Sequence, residues 1–133
     1  MTRRQIREEI FKAIFQADFH EGDSMPEQVS LFLQEMDPPI KDGADSQYIQ
    51  EKSNAIIEHI PEIDQLINDV AEGWTTKRMA KVDLSLIRLA VYEVRYEKLP
   101  EGVAINEAVE LAKQYGEDNS SAFVNGVLAK LIG

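Results

Sequence analysis

At 133 residues, 44% of them hydrophobic and none of them cysteine, the chain has room for one domain or two closely apposed helical sub-bundles. It cannot build a disulfide framework or a thiolate metal site. No apolar run approaches membrane-spanning length, and no apolar segment follows the opening arginines as in a secretory signal, a combination consistent with a cytoplasmic protein that has no membrane association.

The formal net charge of −10 argues against general nucleic-acid binding, because phosphate contacts need local positive charge. The distribution is uneven. Between Ala13 and Gly73 fourteen acidic residues face only Lys41 and Lys52, a net of −12, while the remainder carries twelve basic and ten acidic residues, a net of +2. Arg3, Arg4, Arg7 and Lys12 cluster at the start. A short basic patch on an acidic body suits a specific RNA contact better than indiscriminate binding.

Helical periodicity runs the length of the chain. Ile6, Ile10, Ala13 and Ile14 form an apolar stripe on a first helix, closed by turn chemistry at Gly22 and Asp23. Pro26 opens a second helix that buries Val29, Phe32, Leu33 and Met36 and stops at Pro38 and Pro39. Lys41 to Asp45 reads as a loop, followed by a third helix with Tyr48, Ile49, Ala55, Ile56 and Ile60 inward. Pro61 breaks or kinks it, and a fourth helix carries Ile63, Leu66, Ile67 and Val70 as far as Gly73. From Val82 to Val94 the chain is almost continuously apolar, as a central, nearly buried helix would be. A turn at Pro100 and Gly102 leads to a helix bearing Ala108, Leu111, Ala112 and Tyr115, ended by Gly116. The last helix is capped by Ser120 or Ser121 and buries Val124, Val127, Leu128 and Leu131. The expectation is an all-α fold of about seven helices in two packed sub-bundles, the first over about residues 1–73 and the second over about 74–133.

Catalytic apparatus is not visible. There is no GxxxxGK[ST] or GxGxxG turn, and His20 and His59 lack ligand-like partners at helical spacing. Neither a metal nor a cofactor is expected, and the paired carboxylates read as a solvated acidic face. Three features stand out. Arg3 and Arg7 are one helical turn apart, so their guanidinium forks suit successive phosphates or base edges, although from the residues alone a disordered, solvated terminus is the readier explanation. Trp74, followed by Lys77, Arg78 and Lys81, offers a ring beside basic residues, or a core tryptophan at a helix junction. The stretch Gly116 to Phe123 sets hydroxyl and amide groups at a helix N-terminus, where backbone N–H groups receive phosphate, and Phe123 either stacks on an unpaired base or staples the core.

The stretch Val103-Ala-Ile-Asn-Glu-Ala-Val-Glu-Leu-Ala-Lys-Gln-Tyr-Gly, with Phe123-Val-Asn-Gly-Val-Leu after it, closely resembles the C-terminal signature of the NusB family. The block from Val82 to Glu93 resembles that family's central helix, and Arg3 to Phe15 its arginine-rich opening helix, so the resemblance spans essentially the whole chain. It implies an all-α fold of two sub-bundles and a role in bacterial transcription antitermination. The protein would bind single-stranded boxA RNA together with the ribosomal protein NusE, within an antitermination complex on RNA polymerase, without catalysis. It also implies RNA-facing roles for Arg3, Arg4, Arg7, Asn119, Ser120 and Phe123, and a NusE-facing surface near Phe15 and Asp83, all on one helical scaffold whose two RNA elements form a single face. Gln5 stands where an arginine is common in the family, which implies reliance on a basic partner for RNA affinity. Two other readings compete. One is the NusB-like domain of an RNA methyltransferase, which would require a cofactor-binding α/β domain in the same gene. The other is a non-catalytic homodimerisation module.

Overall fold

Helix α1, Arg3–Ala17, starts at a reciprocal cap. The Thr2 hydroxyl accepts the Gln5 N–H at 3.1 Å, and the Gln5 side-chain oxygen accepts the Thr2 N–H at 2.8 Å. Two of the four N–H groups a helix start leaves unpaired are thereby satisfied, so the arginine-bearing segment is wound helix from its first residue. Ile10, Phe11, Ala13, Ile14 and Ala17 form its buried face, with Ile6 half-buried above them. The computed structural model describes residues 1–20, 24–70 and 75–132; Gly22, Asp23, Gly73 and Trp74 lie outside the described residues.

The chain divides into two compact units, Met1–Glu58 and His59–Gly133. In the first, α1 packs with α2 (Ser24–Gln34) and α3 (Gly43–Glu58), which also pack on each other. Ala13, Ala17 and Val29 make a close-packed centre, with Met25, Phe32, Leu33 and Ile57 laid against it. Helix α2 stops at Gln34, so Met36 falls in the following segment and is only half-buried, not part of the helix face expected for it. Helix α3 begins within the stretch expected to be a loop, because Asp42 supplies a cap: its carboxylate accepts the Ala44 N–H at 2.8 Å. On α3, Ile49, Ser53 and Ile56 are buried, whereas Tyr48, expected inward, is 45% exposed. The Lys52 ammonium lies 5.7 Å from the Tyr48 ring centroid, a cation–π contact at the edge of the unit.

The second unit begins with α4, Ile60–Val70, so Ile60 opens this helix and does not close α3. Pro61 sits in the first turn of α4, where a missing N–H costs nothing, and breaks no helix interior. The division at Glu58 falls before the position near residue 73 expected from sequence, because Ile63 and Ile67 carry α4 onto α5 and α7. A 3₁₀ turn, Thr76–Arg78, precedes α5, Lys81–Glu97, whose residues from Asp83 to Val91 are all buried. Burying each large aliphatic side chain contributes about 1.5–3 kcal/mol, which makes α5 the axis of this unit. Lys98 takes a left-handed turn (φ 60°) and ends the helix ahead of Pro100. Helices α6 (Glu101–Tyr115) and α7 (Ser120–Ile132) pack on each other and on α5. Gly102 lies inside the first turn of α6, not before it. On α7 the buried residues are Val124, Val127, Leu128 and Ile132, with Leu131 half-buried.

Candidate nucleic-acid interface

The opening residues of α1 put Arg3 and Arg4 in solvent and Arg7 half-buried, with Arg4 and Arg7 each engaged elsewhere in the protein. Three cations at a helix N-terminus oppose the macrodipole, a local penalty of about 0.3–1 kcal/mol for each exposed charge. The reciprocal cap offsets part of it. What this arrangement gains is a cluster of guanidinium groups that attract anions, beside the Met1 ammonium, which pairs with Asp45 at 3.2 Å.

The first turns of the helices sharpen that contrast. Helices α2, α3, α4, α5 and α6 carry Glu27, Asp45, Glu62, Asp83 and Glu101 in their first turns. Helices α1 and α7 carry no acidic residue there. These are the two elements that the sequence marks as RNA-facing, although Glu117 and Asp118 do lie in the turn just ahead of α7. A carboxylate in the first turn would stabilise an isolated helix but repel phosphate.

At α7 the structure brings Asn119, Ser120 and Phe123 together. The Asn119 carbonyl accepts the Phe123 N–H at 3.0 Å, so Asn119 stands at the helix start with Phe123 one turn above it. Asn119 is exposed and Phe123 half-buried. Ser120 differs from the expectation: it is 1% exposed, and its hydroxyl accepts the Glu117 N–H at 2.9 Å. Its side chain points into the fold because Gly116 leaves space for it. The arginines belong to the first unit and this turn to the second.

The residues expected to face a protein partner are also placed. Phe15 is half-buried in an i, i+4 ladder of rings: Phe11 and Phe15 have centroids 6.1 Å apart, and Phe15 and Phe19 meet edge to face at 5.1 Å. Phe19 ends the ladder 58% exposed. Sequence reading missed Phe19, although its four-residue spacing from Phe15 was the available signal. Asp83 is 7% exposed, and its Oδ1 accepts no hydrogen bond among the described residues. No group of three or more histidine, aspartate and glutamate side chains is arranged to hold a metal ion among the described residues. Nor is any described helix long and apolar enough to cross a membrane.

Comparison with known proteins bears on the whole chain. The transcription antitermination protein NusB of Agathobacter rectalis is 55% identical over 131 residues, covering 98% of both chains. Its counterpart from Lachnoclostridium phytofermentans is 43% identical over 133 residues, covering 99% of both. Among solved structures, T. maritima NusB superposes with a TM-score of 0.85 at 35% identity, over 98% of this chain and 90% of that one. A chain from the crystal structure of antitermination factors NusB and NusE in complex with dsRNA superposes with a TM-score of 0.80 at 27% identity, over 98% of this chain and 97% of that one. The family model described as NusB matches residues 4–133. With its sequence, its helical order and its structural neighbours in agreement, the chain belongs to the NusB family.

Proposed function

We propose that this protein is a cytoplasmic transcription antitermination factor that binds boxA RNA together with NusE and joins an antitermination complex on RNA polymerase, acting by binding and not by catalysis. The full-length similarity to curated antitermination proteins carries this reading. The first-turn chemistry supports it, since the two α-helix starts without an acidic residue among the described residues are those bearing Arg3, Arg4 and Arg7 and the Asn119–Phe123 pair. Guanidinium forks would take phosphates, while the Asn119 amide and the Phe123 ring would take the edge and face of unpaired bases.

NusE would contact Phe15 and Phe19 in the first unit and the surface around Asp83 in the second. The exposed Phe19 ring offers apolar area to such a partner. The acidic body would speed encounter with a basic protein. A NusE pulldown combined with a boxA RNA titration tests the reading: NusE should bind directly and raise RNA affinity substantially. Equal RNA affinity with and without NusE, or an RNA-insensitive homodimer that ignores NusE, would defeat it.

A further inference from the structure

Gly116 has φ −94° and ψ −173°, extended backbone open to any residue, so conformational freedom does not explain a glycine there. Space does. A Cβ at residue 116 would lie 2.5 Å from both Cβ and Oγ of Ser120 and 2.8 Å from the Ala112 carbonyl oxygen. These atoms are held close to the backbone and cannot swing aside. The Ser120 side chain occupies the space left open, 1% exposed. There it is joined twice to Glu117: its Oγ accepts the Glu117 N–H at 2.9 Å, and its own N–H donates to the Glu117 carbonyl at 3.0 Å. Gly116 in turn donates its N–H to Ala112 at 2.9 Å, anchoring the turn to the end of α6.

We propose that Ser120 is a positioning residue for RNA binding: its buried hydroxyl, seated against Gly116, fixes the turn that presents Asn119 and Phe123 and does not itself touch RNA. This rests on the RNA reading above. Asn119 and Phe123 are four residues apart and share one side of α7, whereas Ser120, like Val124 and Val127, points inward. A turn closed by two hydrogen bonds leaves Asn119 little freedom to lose when a nucleotide binds, so its order is established before the encounter.

The test uses the full chain with NusE and a single-stranded boxA oligonucleotide. Ser120→Ala should lower RNA affinity on the order of tenfold, the size of one hydrogen bond's net effect, and leave NusE affinity unchanged. Hydrogen exchange at the Glu117 amide should accelerate while Val124 to Leu128 keep their protection. Gly116→Ala should act in the same direction, and Val127→Ala should lower the melting temperature without altering the affinity of folded protein. Wild-type RNA affinity in Ser120→Ala, despite faster exchange at Glu117, overturns the proposal; so does an even loss of protection along α7, which would make Ser120 part of the core. Phe123→Ala separates the two levels. If it weakens binding while Ser120→Ala does not, only the positioning role fails; if neither variant matters, the RNA reading of this turn fails.

Discussion

Arg88 on α5 holds Asp64 on α4 through two parallel charge-assisted hydrogen bonds, Nε to Oδ1 at 2.8 Å and Nη2 to Oδ2 at 2.7 Å. The side chains are 8% and 20% exposed. This fork fixes the first helix of the second unit to its axis at a chosen register, which apolar packing alone specifies less sharply. Asp64→Ala leaves a mostly buried guanidinium without its carboxylate and should cost about 2–3 kcal/mol of stability. Urea unfolding measures it, and a loss below about 0.5 kcal/mol would show that the pair contributes little.

Replacing Arg3, Arg4 and Arg7 together with alanine should weaken boxA binding and flatten its salt dependence, by about 0.7 in slope for each phosphate no longer neutralised. NusE binding should persist. Titrations at several salt concentrations check this, and an unchanged slope would show that these arginines do not pair with phosphate.

Phe123→Ala should cost about 1–3 kcal/mol of RNA affinity through the missing stacking. Because the ring is half-buried, some thermal stability should go with it. Comparing affinity per folded molecule with the shift in melting temperature separates the two effects. A stability loss alone would assign the ring to the core.

Tyr96 donates its hydroxyl proton to Glu62 at 2.6 Å. That hydrogen bond above all, then desolvation and the carboxylate's charge, holds the phenol above its usual value near 10. The proton-bearing form is favoured by folding, so the contribution is fully present below the ordinary tyrosine value and is lost as pH rises through the raised one. Glu62→Gln should move the Tyr96 titration, followed by NMR of its ring carbon, back down. No downward movement would detach the shift from Glu62.

The axis helix α5 was legible because a nearly continuous apolar run has only one comfortable home, and Gly116 was legible as a helix stop. Where the signal failed, a local device had replaced the average rule. Asp42 starts α3 inside an apparent loop by capping it, and Tyr48 stays at the surface, where Lys52 approaches its face. Ser120 reads as a polar group offered to solvent, yet a missing side chain four residues earlier draws it inside. The arginine cluster was readable as chemistry but not as structure, since only the bonds between Thr2 and Gln5 decide between a loose tail and a helix.

Those bonds also change what residue 5 does. A fourth guanidinium in the cluster would add one more counterion to displace, while glutamine uses the same position to brace the turn. A braced turn has less disorder to surrender on association, so recognition by this end of the molecule should carry a smaller entropic penalty and depend less steeply on ionic strength than that of a relative with arginine there.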